Sequence, residues 1–386
     1  MGNEIKVLSR YFKNIHVFPL FADGAMREVP ENVVVHSDFI DHKKEVFSVP
    51  LNAADKKLVR RVVLKELFGR KIFKRIKQMK AGYSFFKHKV KQWKYLLKVL
   101  ERENLMECVH YSVWFNDWCT VLACGAYYGK LKHCVARAHG YDLFEWRRPE
   151  GFVPFISFHL THISQVYTIS KSGHQYLISQ YPAYAKKIEV NYLGVFETGV
   201  NPVSDGVKRM VTASNINEVK QLHLLANALV QCKNPVEWIH FGDGPLREKI
   251  EAMTKNFPAQ VRAVFKGRVD NSELLKFYAQ THVTAFINVS KSEGVPVSMM
   301  EATSYGIPVI ATQVGGTEEI ISAQNGILLS PSVSATELAE VIDTFDAHVL
   351  NQPASRQGIR ETWKKKFEAD KNYADFAKSI ILNHTH

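Results

Sequence analysis

Two carboxylates, Glu293 and Glu301, stand eight positions apart in Ser290-Lys-Ser-Glu293-Gly294-Val295-Pro296-Val297-Ser-Met-Met-Glu301, and the residues between them decide what they can do. Pro296 sets φ near the value that a first helical turn requires, so Glu293 is predicted in the loop before a helix and Glu301 about one turn inside it. One acid then faces a ligand from the loop while the other reaches it from the helix. Glutamate pairs are common, and an acid near a helix start often only complements the helix dipole. The flanking sequence separates these readings. Val283-Thr-Ala-Phe-Ile287 reads as a buried strand and Pro308-Val-Ile-Ala311 as another, so the pair occupies the loop of a strand-loop-helix-strand unit. Such loops lie at the carboxyl ends of the strands, where open α/β sheets bind ligands.

With Gly306-Ile-Pro308, Gly315-Gly316-Thr-Glu-Glu319-Ile320 and Asn325-Gly326-Ile-Leu following in order, this segment resembles the C-terminal domain of GT-B glycosyltransferases, specifically the retaining family-4 enzymes (glycosyl transferases group 1) with their Glu-x7-Glu signature. The resemblance implies a GT-B α/β fold, two Rossmann-like doubly wound domains facing a cleft. It also implies a nucleotide-sugar-dependent hexosyltransferase acting with retention of configuration on a glycan or lipid-linked acceptor, in synthesis of a surface polysaccharide such as lipopolysaccharide or capsule.

Sugar transfer from a nucleotide donor requires stabilisation of a departing diphosphate, and without a metal that charge must be met by cationic side chains and backbone N–H groups. Ala213-Ser214-Asn-Ile-Asn-Glu-Val-Lys220 supplies a strand-end loop that opens a helix, with a lysine placed to reach phosphate. The resembling enzymes often carry Arg-x5-Lys here. Ser214-x5-Lys220 keeps the spacing without the arginine, and Gln221 stands where a second base is frequent, so the phosphate grip reads as weaker than usual. Gly242, Gly244 and Pro245 permit close backbone approach and open the next helix. By resemblance they lie along the nucleotide, Gly267, Arg268 and Val269 hold the base, and Glu301 accepts from the ribose hydroxyls. Glu293, with the backbone of Gly294, Val295, Pro296 and Val297, holds the donor sugar, and Ser290 with Gly315 and Gly316 completes the wall. From the N-terminal half, His139 in Arg137-Ala-His139-Gly-Tyr-Asp142 follows a strand and is implied to contact the donor sugar, with Arg137 and Asp142 in support. The stretch Ser112-Val-Trp114-Phe-Asn116-Asp117-Trp118 also follows a strand, so Asn116 and Asp117 are expected on the acceptor side. In retaining transfer the acceptor hydroxyl attacks the face that the diphosphate leaves, and the leaving phosphate takes the proton. Domain closure would bring His139 against Glu293 and exclude water. Neither a cofactor nor a metal is implied.

The elements that must position these groups alternate along the chain. Apolar runs at 15–18, 32–35, 108–111, 134–137, 165–169 and 188–192 read as strands, separated by helical stretches at 53–80, 84–104, 116–129, 152–163 and 171–180. A Gly/Pro/Asn-rich stretch at 197–206 reads as the interdomain linker. A second strand and helix series begins at 208, with strands at 237–241 and 263–265. The expected layout is an acceptor-side domain at 1–198, a nucleotide-sugar domain at 205–355, and a helix at 356–386 that returns to the first domain. Members of the family usually begin with a strand and a Gly-containing loop before a stretch like Asn3-Glu4-Ile5-Lys-Val-Leu8, so either the true start lies upstream or the first domain lacks that strand and loop.

At 386 residues, with 46% hydrophobic and 23% charged residues, the composition is globular and allows two domains. No window approaches the apolar length of a membrane span and the N-terminus lacks a signal-peptide layout, which gives a cytoplasmic expectation, with peripheral contact at the inner face of a membrane. The five cysteines show no metal spacing and are expected to be reduced and mostly buried. The net charge of +12 is concentrated: residues 56–98 hold sixteen Lys or Arg against one acid, Glu66. Apolar residues interleave at roughly helical spacing, a pattern suited to an anionic membrane surface. A solvated helix face is the plain alternative, and nucleic acid is not an expected partner. The competing function is a catalytically weak or inactive nucleotide-sugar-binding protein, suggested by Ser214, Gln221 and the missing strand.

Overall fold

The computed structural model describes residues 2–21, 28–69, 76–148 and 151–385. The chain divides into two compact units, Met1–Asn191 with Tyr373–His386, and Tyr192–Asn372. Both are α/β with parallel strands throughout.

The first unit contains β1 (Ile15–Val17), β2 (Val33–Val35), β3 (His110–Ser112), β4 (Cys134–Ala138), β5 (Gln165–Thr168) and β6 (Ile188–Val190). Each overlaps an apolar run read as a strand, since continuous apolar β-rich runs suit parallel strands covered on both faces. They make two sheets, β1-β2 and β3-β4-β5-β6. Although β1 and β3 are not paired, Ile15, Val109 and Tyr111 pack on one cluster built from Leu8, Val135, Tyr167, Phe376 and Ile380. Helix Gly2–Leu8 and the C-terminal helix thus cover the same face.

That face also holds Arg137. Its guanidinium is wholly buried, pairs with Glu4 at 3.0 Å and lies 4.2 Å from the ring centroid of Phe376, while Tyr111 donates to the same Glu4 oxygen. Strand alternation sends residue 137 to the helix-covered side of β4, so the expectation that Arg137 supports the donor site is corrected: it is a structural ion. Removing one partner of a buried pair leaves an uncompensated charge, so Glu4→Ala is expected to cost about 3–5 kcal/mol in urea unfolding. A loss below about 1 kcal/mol would contradict a buried ion pair there.

The basic run forms helices Ala53–Gly69 and Ile76–Arg102. The second runs through Gly82, where the sequence reading placed a break. Gly82 lies beside the ring of Phe155, and burial of Phe86, Val90 and Trp93 outweighs the roughly 1 kcal/mol a helical glycine costs. Arg70, Lys71, Lys74 and Arg75 of the run lie outside the described residues. Two of its lysines are internal counter-ions: Lys89 pairs with Asp117 at 2.5 Å and Lys94 with Asp55 at 2.9 Å. Lys56, Lys57, Arg60, Arg61 and Lys65 are exposed on one face of the first helix, opposite buried Leu58, Val59, Val62 and Val63. No helix of the described residues is long and apolar enough to cross a membrane. Cys108 is exposed, the other four cysteines are buried, and all five are free thiols.

The second unit contains β7 (Arg209–Ala213), β8 (Val236–Phe241), β9 (Val261–Phe265), β10 (Ala285–Asn288), β11 (Val309–Thr312) and β12 (Gly326–Leu329). They form one sheet in the order β12-β11-β10-β7-β8-β9. The chain winds outward in both directions from β7 and β10, which makes the gap between their carboxyl ends the topological switch point, where open α/β sheets take ligands. The stretch read as a linker is built into this unit: Asn201 is buried and donates to the carbonyls of Tyr278 and Thr281. Helix Pro353–Phe367 packs against helix Val297–Ser304 in the same unit, and the chain rejoins the first unit from Tyr373.

Candidate functional site

At the switch point, Thr212, Ala213, Ser214, Lys220 and Leu222 line one side of a small pocket, and residues 286–290 line the other. Lys220 closes the short turn Glu218–Lys220, whose N–H groups at Val219 and Lys220 are capped by Asn217. Gln221 then adopts a left-handed conformation (φ 47°), so the helix begins only at Leu222. The residue after Lys220 is therefore a kink between the turn and the helix.

The loop after β10 carries the first acid. Glu293 is buried, and its Oε1 accepts from Lys220 Nζ at 2.5 Å and from Asn288 Nδ2 at 3.2 Å. The proposed phosphate lysine and the proposed sugar-binding acid are thus each other's partners here. The N–H groups of Gly294, Val295 and Val297 find no acceptor among the described residues, so the start of helix Val297–Ser304 presents free donors. Ser290 lines the pocket with its hydroxyl buried and unpartnered, while its carbonyl accepts from Thr312. Gly315 (φ 54°) lies so close beneath the loop that a Cβ would fall 1.9 Å from the carbonyl oxygen of Glu293, and Gly316 donates to Gly294. Two glycines are required there because the following loop braces the acid-bearing one from below.

Glu301 lies on the fifth residue of that helix, 7% exposed, with Asn271 Nδ2 donating to its Oε1 at 2.9 Å. Burial pushes its pKa up to about 7, against the opposing pull of the Asn271 hydrogen bond. Gly242, at φ 135°, approaches the Ser214 carbonyl so closely that a Cβ would fall 1.9 Å away, and its N–H donates to Gly267. The loops after β7, β8 and β9 are therefore fastened to one another. Gly244 packs on Ile216 and precedes Pro245 at the entry to helix Arg247–Thr254, while Arg268 is exposed and Val269 half-buried.

On the first unit, His139 follows β4. Its N–H donates to Asp142 Oδ1 at 2.6 Å and its ring lies 4.2 Å from that of Trp114, centroid to centroid. Asp142 is wholly buried and also accepts from Phe115 N–H at 2.6 Å. It ties the loops after β3 and β4 together and positions His139, with no surface of its own to offer a ligand. Asn116 caps helix Asp117–Tyr127 by accepting from Asp117 N–H, and Asp117 is the counter-ion of Lys89, so both have structural duties. The sequence reading omitted Asn288 and Asn271. Asn288 is the last residue of β10, a strand-end polar residue after an apolar run, and that position was the available signal. Asn271 offered none, because its partner lies thirty residues away. Among the described residues no group of three or more His, Cys, Asp or Glu is placed to hold a metal ion.

Residues 198–365 match the family described as glycosyl transferases group 1. The chain is 27% identical over 265 residues to the O-antigen biosynthesis glycosyltransferase WbnH of Escherichia coli, covering 64% of this chain and 69% of that protein. Among solved structures, HepE of Anabaena, determined with UDP and glucose, superposes with a TM-score of 0.60 at 18% identity, covering 74% of this chain and 81% of that one. The lipopolysaccharide outer core galactosyltransferase WaaB in its apo form also gives 0.60 at 18% identity, over 76% of this chain and 81% of that one. The fold is therefore GT-B.

Proposed function

We propose that this chain, whose residues 198–365 match the model described as glycosyl transferases group 1 and whose fold is GT-B, is a retaining glycosyltransferase that moves a hexose from a nucleotide-sugar donor to a glycan or lipid-linked acceptor in surface polysaccharide synthesis. The observation that carries this reading is the convergence of Lys220, Glu293 and the free N–H groups of Gly294, Val295 and Val297 beside one switch point. Cationic and N–H donors gathered at a strand-end helix start suit a diphosphate, and an acid among them suits sugar hydroxyls. That WbnH acts in O-antigen synthesis and WaaB on the lipopolysaccharide core supports the acceptor class.

In this reading Lys220 exchanges Glu293 for the donor diphosphate, and Glu293 turns to the sugar hydroxyls. Glu301 accepts from the ribose, and Ser290 adds its unpartnered hydroxyl to the wall. The acceptor hydroxyl attacks the anomeric carbon on the face from which the diphosphate departs. Its proton passes to the leaving phosphate oxygen, whose charge Lys220 and the N–H groups neutralise, and no metal takes part in this scheme. Incubation of the full chain with a panel of nucleotide sugars, followed by nucleoside diphosphate release, tests the reading. A protein that binds donors without turnover is the second reading, favoured by the Lys220–Glu293 pair and by Ser214 in place of a second cation. It predicts binding with no release.

The exposed cations of helix Ala53–Gly69 are assigned to an anionic membrane surface that presents the acceptor, with Leu64, 49% exposed, at the centre of the cationic face. Burial first, and then the charges of Lys187, Lys65 and Arg61, hold the pKa of His162 below its ordinary value. At about 1 kcal/mol per basic residue near the surface, reversing Lys57, Arg61 and Lys65 to glutamate is expected to weaken co-sedimentation with phosphatidylglycerol vesicles at least a hundredfold. Equal binding of the wild type to neutral and anionic vesicles would contradict the assignment.

A further inference from the structure

Asn271 opens helix Asn271–Gln280 directly after the Gly267-Arg268-Val269 loop. The N-cap position, Asp270, makes no side-chain capping bond, and the Asn271 amide does not cap the helix either: it reaches across to Glu301. It is the one side-chain hydrogen-bond partner of Glu301 among the described residues, and it takes only Oε1. Oε2 is left with no hydrogen bond from those residues. An exposed residue at the start of one helix therefore aims a buried acid on another.

We propose that Asn271 is a positioning and specificity residue of the donor site, its amide anchoring Oε1 of Glu301 so that Oε2 accepts from the paired ribose hydroxyls of a ribonucleoside diphosphate. The proposal rests on the reading of Glu301 as the ribose-binding acid. A carboxylate held by one oxygen is restricted in rotation, which removes much of the entropy of ordering it around a diol. The amide also favours the charged form of an acid that burial drives toward neutrality. The ionisable groups that sense Glu301 are Tyr278, on the same helix as Asn271, and Tyr305, just after the helix of Glu301. From the packed helix Pro353–Phe367, Arg356 is engaged by Asn201, Asn351 and the carbonyl of Val283, and Arg360 by Ser304 and Glu197. No cation therefore substitutes for the amide.

The test is calorimetric titration of the full chain with UDP, GDP and ADP, and with the 2′-deoxy form of whichever binds, from pH 6.5 to pH 9. Asn271→Asp is the informative variant, because an acid in the first helical turn favours the helix while the N–H donor to Glu301 is lost. Asn271→Asp and Asn271→Ala are expected to weaken binding about tenfold or more at pH 7, the loss narrowing toward pH 9, and to erase most of the preference for ribose over 2′-deoxyribose. Asn271→Gln, which keeps the amide, is expected to recover part of both. Variants with wild-type affinity, ribose preference and pH dependence would overturn the proposal while leaving the donor site standing. A wild type that binds none of the three nucleotides would overturn the donor-site reading, and the proposal with it.

Discussion

Glu293→Ala is expected to lower the transfer rate by roughly 10²–10³-fold, the usual effect of deleting a group that acts at the reacting centre. The same substitution is expected to tighten binding of the free nucleoside diphosphate roughly fivefold. The second effect follows from the structure: Lys220 is tied to Glu293, and a ligand phosphate must displace that acid before it gains the cation. Releasing a partly exposed ion pair is worth up to about 1 kcal/mol, close to a fivefold change in affinity. A role for Glu293 in holding the loop alone would weaken both quantities. Steady-state kinetics and product calorimetry on one preparation separate the alternatives. Opposite signs support the exchange of partners, and parallel losses contradict it.

Substitution of Glu301 is expected to divide stability from function. Glu301→Ala removes the acceptor of two ribose hydroxyls, each hydrogen bond to a charged group being worth about 1.5–3 kcal/mol, so donor affinity and kcat/KM should fall together by at least about a hundredfold. Stability moves the other way in the isosteric Glu301→Gln. The folded-state pKa of Glu301 is raised from 4.5 to about 7. The stability associated with the protonated acid is fully present below the unfolded value and is lost as pH rises through 7. The amide escapes that loss, so Glu301→Gln should match the wild type near pH 4.5 and exceed it by up to ~3 kcal/mol above pH 7 in thermal unfolding. Donor binding requires the carboxylate, so wild-type affinity should weaken as pH falls below 7. A Glu301→Gln protein that is less stable at pH 8 would contradict a carboxylate burdened by burial.

The second unit was the more legible part of the sequence. Parallel strands buried on both faces read as unbroken apolar runs, and β7, β8, β10 and β11 lie close to where such runs occur. Glu293 and Glu301 were visible because Pro296 and the glycines around them mark a loop-to-helix junction. What the sequence hid is long-range. Arg137 stands at the end of an apolar run, two residues before His139, and only its pairing with Glu4, from the first helix, reveals it as an internal ion. Asp117 reads as a polar strand-end residue, yet its carboxylate is held by Lys89. Asn201 falls in a Gly/Pro/Asn stretch with every mark of a linker and is a buried hub of hydrogen bonds. In each case a local rule was obeyed, and a partner distant in sequence decided the role.

The most direct measurement is proton NMR of the transfer reaction, run with the full chain, the nucleotide sugar that supports diphosphate release and a saccharide acceptor that accelerates it. The account predicts a product whose new glycosidic linkage has the anomeric configuration of the donor, formed by the wild type and absent with Glu293→Ala. A product of inverted configuration, or acceptor-dependent release that persists undiminished in Glu293→Ala, would contradict it.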